Sequence, residues 1–128
     1  MKSAHLILLL LLVLGLAGAS MPAAAEDKPV VAMIGTGTLA STFGPAIGRA
    51  GYPLVYGSRD PARSSVSELV GKSGSGASAD SPRKATSKAQ IVILAVPRNV
   101  LDEVTDGLGD LDGKIVVEFK VAWPARTI

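Results

Sequence analysis

The chain has 128 residues, with 13 Lys and Arg against 11 Asp and Glu, a formal net charge of +2. So small an excess gives no basis for nucleic-acid binding. The absence of cysteine excludes disulfides, thiolate metal sites and cysteine nucleophiles. The single histidine, His5, lies near the N-terminus, so the rest of the chain has no histidine base or ligand.

The first segment reads as a targeting signal. Lys2 precedes an apolar run over residues 6–17, followed by small residues with Ala-x-Ala sites at 17–19 and 23–25. A charged start, a short apolar stretch and such a site are the layout of a secretory signal peptide. The reading is cleavage between Ala25 and Glu26, which sends the mature protein out of the cytoplasm, periplasmic or secreted and free of the membrane. The alternative is a membrane anchor through uncleaved residues 6–20. A span needs roughly 20 apolar residues, and this run is interrupted by Gly18 and Pro22.

About a hundred residues remain, enough for one small domain. Aromatic residues make up only 4% of the chain, so the core must be built from Val, Ile, Leu and Ala. That composition suits a parallel sheet covered on both faces. Residues 30–34 (Val-Val-Ala-Met-Ile) form the first strand-like run. Leu39, Phe43, Ala46, Ile47 and Ala50 then recur at helical spacing, with Pro45 expected to disturb the helix and Gly51 to end it. Leu54-Val55-Tyr56 is a short strand closed by Gly57. Asp60-Pro61 reads as the cap and first residue of a second helix carrying Val66, Leu69 and Val70 and stopping at Gly71.

Residues 72–80, rich in Ser, Gly and Ala, read as a loop or a weak edge strand. Ser81-Pro82 opens a short helix to about Ser87. Residues 91–96 (Ile-Val-Ile-Leu-Ala-Val) are the clearest strand, stopped by Pro97. Val100, Leu101, Val104 and Leu108 make another helical stripe, and Asp112-Gly113 turns into a last strand over 114–119. Strand and helix alternate with short connections. The expected fold is α/β, a doubly wound parallel sheet of about five strands over residues 29–119, with a short tail at 120–128.

Chemistry is concentrated at two turns. Gly35-x-Gly37-x-x-Ala40 follows an apolar strand and opens a helix. Gly35 permits the tight turn, Gly37 lets backbone approach a pyrophosphate, and Ala40 keeps the helix near the sheet. Such a helix start presents free N–H groups to phosphates. The second turn is Gly57-Ser58-Arg59, where domains that bind NAD carry an acid for the ribose 2′-hydroxyl. A hydroxyl and a guanidinium suit a 2′-phosphate instead, so the expected cofactor is NADP(H). Arg63, read as one helical turn beyond Arg59, is placed to close on the same phosphate. Lys120 reads as a surface charge, the alternative being a phosphate contact, and Gln90 as the start of a strand without chemistry.

Three segments resemble the N-terminal domain of coenzyme F-420-dependent NADP oxidoreductases. They are Ile34-Gly35-Thr36-Gly37-Thr38-Leu39-Ala40, Tyr56-Gly57-Ser58-Arg59-Asp60-Pro61 and Ile93-Leu94-Ala95-Val96-Pro97. The pyrroline-5-carboxylate reductase N-terminal domain is related. The resemblance covers about residues 29–118 and implies a Rossmann-type fold. It also implies 2′-phosphate contacts at Thr36, Ser58, Arg59 and Arg63, and backbone contacts to the pyrophosphate at Thr38 and Leu39. Ala95, Val96 and Pro97 would line the cofactor near its ribose and nicotinamide. The family's Asn-Pro turn after the fifth strand is replaced by Glu118-Phe119-Lys120-Val121-Ala122-Trp123-Pro124.

Two functions follow from these residues. One is an oxidoreductase domain passing hydride between NADPH and a flavin, deazaflavin or similar acceptor, with a second copy or a partner subunit completing the site. The other is a non-catalytic NADP(H)-binding module or truncated remnant lacking the acceptor domain.

Overall fold

The computed structural model describes residues 27–120. The proposed signal segment, its cleavage site and Trp123 lie outside the described residues. Five four-residue strands are laid down in chain order: β1 (Val31–Ile34), β2 (Leu54–Gly57), β3 (Ala77–Asp80), β4 (Ile91–Leu94) and β5 (Ile115–Glu118). All pair in parallel, in the order β3-β2-β1-β4-β5. The helices are α1 (Thr38–Arg49), α2 (Ser64–Lys72), α3 (Pro82–Lys88) and α4 (Leu101–Asp106), the last preceded by a 3-10 turn, Arg98–Val100. No helix among the described residues is long and apolar enough to cross a membrane.

The sheet is wound on both faces, as its alternating side chains show. Val31, Met33, Leu54, Tyr56 and Ile93 meet Ala40 of α1 and Leu69 of α2 on one face. Ala32, Ile34, Val55, Val92 and Leu94 meet Ala85 of α3 and Leu108 on the other. The central strands β1 and β2 are buried throughout, which is why they read as unbroken apolar runs. Chain order reverses between β1 and β4. That crevice at the carboxyl ends of the strands is where open α/β sheets bind ligands.

Several expectations are refined. The polar stretch after α2 is an edge strand, β3, specified by its pairing with β2 more than by its own residues. Helix α1 runs through Pro45 without a break. The proline ring is buried, and the carbonyl it leaves without an N–H partner belongs to exposed Ser41. Helix α2 starts at Ser64, three residues later than Asp60-Pro61 suggested. Arg63 donates its N–H to the Asp60 carbonyl at 3.2 Å, so Pro61 occupies the second position of a β-turn instead of a helix. At its other end α2 passes Gly71 and stops at Lys72.

One packing device was not foreseen. Ala40, Gly44 and Gly48 share one face of α1 at spacing four. A Cβ at Gly44 would overlap the Tyr56 hydroxyl, and one at Gly48 would overlap the Ser73 carbonyl oxygen. Beneath them Tyr56 and Ser73 are joined by a buried 2.6 Å hydrogen bond, and Ser73 Oγ donates onward to the Leu69 carbonyl at 2.8 Å. Burial raises the Tyr56 pKa, partly offset by this bond to Ser73. The hydroxyl of Thr86 on α3 is buried without a partner, and nothing in the structure explains it.

The sheet's other edge is left open. Strand β5 pairs only with β4, and Ile115 is 62% exposed and Val116 43% exposed. Beyond it, Phe119 turns back to stack on Phe43 of α1, with ring centroids 5.0 Å apart.

Candidate functional site

The rim of the sheet is laced by backbone bonds one residue past the strands. Gly35 N–H donates to Gly57 O at 3.0 Å, Ser58 N–H to Asp80 O at 2.9 Å, and Ala95 N–H to Ile34 O at 2.8 Å. Three turns are thereby fixed against one another: β1 into α1, β2 into α2, and β4 into the 3-10 turn.

At the first turn the two motif glycines differ physically. Gly35 has φ +109°, and a Cβ there would overlap the Ala95 carbonyl oxygen. Gly37 has φ −84° and caps α1, and a Cβ on it would meet nothing within 4 Å. Gly35 is therefore needed for the fold, whereas Gly37 keeps open space in front of the helix. No side chain caps α1 and no acidic residue stands in its first turn. The first helical bond is Ser41 N–H to Gly37 O, so the N–H groups of Thr38, Leu39 and Ala40 are left for an anion. This uncapped, acid-free helix start beside an empty glycine position fits a pyrophosphate.

At the second turn, Ser58 Oγ accepts the Asp60 N–H at 3.2 Å, which leaves its own hydroxyl hydrogen to donate. Arg59 is exposed and unpaired among the described residues. Arg63 reaches the same place from the β-turn, not from a helical turn as expected, and its Nε lies 3.8 Å from Asp60 Oδ2. Of the other carboxylates, Glu103 lines the facing wall of the same cavity, and Asp80 is committed to α3. One oxygen accepts Ser81 N–H at 2.9 Å and the other Lys88 Nζ at 3.0 Å. The Lys88 hydrogen bond, then the Ser81 bond, hold its pKa below the usual value.

Two adjoining cavities open on this rim. The first, about 450 Å³, takes in Gly35, Thr36, Ser58, Arg59 and Arg63. The second, about 400 Å³, takes in Gly37, Thr38, Leu39 and Ala95. Val96 and Pro97 line both and form the partition. All eleven residues expected to contact cofactor therefore fall in the walls of one divided cleft.

Sequence reasoning missed the opposite wall. Pro82 and Arg83 of α3 and Glu103 and Val104 of α4 line the first cavity. Arg98, Leu101, Phe119 and Lys120 line the second, so Lys120 is a cleft residue as well as a surface charge. Only the strand order could have brought these in, since α3 and α4 are far from the glycine motif in sequence. Gln90 proves structural, accepting the Val30 N–H through Oε1 at 2.7 Å. Among the described residues no cluster of acidic or histidine side chains is placed to hold a metal.

A parallel doubly wound sheet with an open helix start, a hydroxyl–guanidinium pair and a divided cleft at its switch point defines a dinucleotide-binding domain of the NADP-selective kind. The comparison with known families agrees. Residues 30–121 match the family described as NADP oxidoreductase coenzyme F420-dependent, and the chain belongs to that family. NADP(H) is thus the cofactor of the domain.

Solved structures share the fold. One is described as an F420-dependent NADP reductase from Arthrobacter sp. FB24, with TM-score 0.64 and 24% identity, covering 71% of this chain and 45% of that one. Another is a variant imine reductase from Myxococcus stipitatus in complex with NAD+, with TM-score 0.61 and 25% identity, covering 77% of this chain and 34% of that one. The chain spans less than half the length of either.

Proposed function

We propose that this domain serves hydride transfer between NADPH and a flavin, deazaflavin or similar acceptor. The carrying observation is the second cavity, which abuts the open start of α1 on the side away from Ser58 and Arg59. A dinucleotide anchored by its phosphates at α1 and β2 has its nicotinamide half directed there. When bound, NADPH supplies the hydride, and the protein's task is positioning more than acid–base chemistry.

The division of labour follows from the walls. The N–H groups of Thr38 and Leu39 hold the pyrophosphate. Ser58 and Arg59 hold the 2′-phosphate, with Thr36 and Arg63 beside them. The Ala95–Val96–Pro97 backbone lines the middle of the cofactor. Leu94, Leu101 and Phe119 give the second cavity apolar wall for the nicotinamide half, beside the charged Arg98, Glu118 and Lys120. A second copy or a partner subunit covers the β5 side, where Ile115 and Val116 are exposed. Light scattering reads this last point, and a fully active monomer removes the need for a cover.

The decisive assay is NADPH oxidation by the purified protein with flavin and deazaflavin acceptors. Turnover with at least one is expected. Binding of NADPH without turnover on any acceptor would mean a non-catalytic module. Selectivity is tested separately. Arg59→Ala should weaken NADPH by about 100-fold, the loss of a charge-assisted bidentate contact of about 3 kcal/mol, while changing NADH little. Equal losses for both would remove Arg59 from the 2′-phosphate.

We further propose export, supported by the charged, apolar and small-residue layout of residues 1–25. N-terminal sequencing of the mature protein from fractionated cells should begin at Glu26. An intact Met1 in the cytoplasmic fraction would contradict it.

A further inference from the structure

Arg83 enters the first cavity from the wall opposite Ser58 and Arg59. It stands in the first turn of α3 and is exposed. Its guanidinium atoms Nε, Cζ and Nη2 lie 3.5–3.6 Å from the point a Cβ on Gly109 would occupy. The group therefore lies against the loop after α4. No carboxylate is within ion-pair distance of it among the described residues. Pro82, Val100 and Val104 supply apolar wall to the same cavity.

A phosphate site needs convergent donors and concentrated positive charge, which the cavity has at Ser58, Arg59 and Arg63. At the other wall Arg83 is the one cation among the described residues, beside the apolar atoms of Pro82, Val100 and Val104 and one carboxylate residue, Glu103, which is not ion-paired with it. That environment suits a flat, polarisable group. Guanidinium is weakly hydrated and stacks on aromatic faces, so it gains more there than an ammonium would. If the 2′-phosphate lies at Ser58 and Arg59, the base on the same ribose has the remainder of this cavity to fill, between those residues and α4.

We propose that Arg83 stacks on the adenine ring of NADP(H) and sets affinity for the adenosine half of the cofactor independently of the 2′-phosphate. The inference rests on the NADP(H) reading of Ser58 and Arg59. It assigns distinct roles to the arginines, since Arg59 selects the phosphate and Arg83 grips the base.

Calorimetric titration of NADPH, NADH and 2′,5′-ADP into the wild type, Arg83→Ala, Arg83→Lys and Arg59→Ala separates these roles. Arg83→Ala should weaken all three ligands by a common factor of about 10, with an unchanged melting temperature in the absence of ligand. Arg83→Lys should recover only part of the loss, because the planar face is gone. Arg59→Ala should weaken NADPH and 2′,5′-ADP but spare NADH. A loss in Arg83→Ala confined to the two phosphorylated ligands would make Arg83 a phosphate contact and overturn the proposal. Unchanged affinities in Arg83→Ala, with Arg59→Ala still selective, would overturn it while leaving the cofactor reading intact. A wild type that binds none of the three overturns both.

Discussion

Gly37→Asp is expected to raise the melting temperature of the free protein while removing NADPH binding. Gly37 caps α1 with φ −84° and ψ −154°, a conformation any residue adopts, and no atom lies within 4 Å of where its Cβ would stand. Aspartate is a preferred cap. Its carboxylate can accept a first-turn N–H and complement the helix dipole, which no side chain now does. The gain is about 0.5–1 kcal/mol. The same carboxylate would occupy the place of the pyrophosphate and repel it. In the wild type, NADPH at 100 times its dissociation constant should stabilise by about 2.7 kcal/mol, a shift of roughly 10–20 °C for a domain of this size. In the variant that shift should vanish. A variant that unfolds, or one that keeps the ligand-induced shift, would contradict the assignment of Gly37 to the anion cradle.

The neighbouring motif glycine should behave in the opposite way. Gly35→Ala is expected to destabilise the free domain by at least about 3 kcal/mol, combining left-handed backbone strain with overpacking. Its φ is +109°, and the added methyl would run into the Ala95 carbonyl. That carbonyl cannot withdraw easily, because the Ala95 N–H is bonded to Ile34 O at 2.8 Å. The reading is the melting temperature without cofactor, which should fall by more than roughly 12 °C. A change of only a few degrees would show that the turn can relax, and that Gly35 serves the ligand instead of the fold.

The contrast between these glycines marks what the sequence could and could not convey. The motif located the turn correctly, since an apolar strand before it and a helical stripe after it are local patterns. Which glycine is structural depends on Ala95, 60 residues away, and no local pattern carries that. The same division holds elsewhere. Strands β1 and β4 are legible because burial on both faces makes them continuous apolar runs. Strand β3 is legible only as one of two alternatives, a loop or a weak edge strand, because an edge position beside β2 tolerates Ala77-Ser78-Ala79-Asp80.

Pro45 misled for a related reason. Local rules break the helix there, but packing of α1 on the sheet holds it together. The cleft wall formed by Ser58, Arg59 and Arg63 was readable, because it follows its strand directly. The opposite wall was not, because Arg83 and Val104 reach the cleft only through the winding of α3 and α4 onto the second face. The spacing of Ala40, Gly44 and Gly48 was a signal for the close approach of α1 to Tyr56 and Ser73, and it was available in the sequence.

The backbone bonds along the rim have a consequence for how a ligand is met. Gly35 to Gly57, Ser58 to Asp80 and Ala95 to Ile34 tie the ends of four strands together. The open helix start and the turn carrying Ser58 and Arg59 thus stand at a separation set by the sheet itself. On the proposed reading of the site, the cleft is a gauge of fixed length. A molecule whose two charged groups are spaced to match settles without ordering the protein, and one spaced otherwise cannot recruit the second contact by flexing the rim. Selection between dinucleotides then takes place in a frame completed when the chain folded.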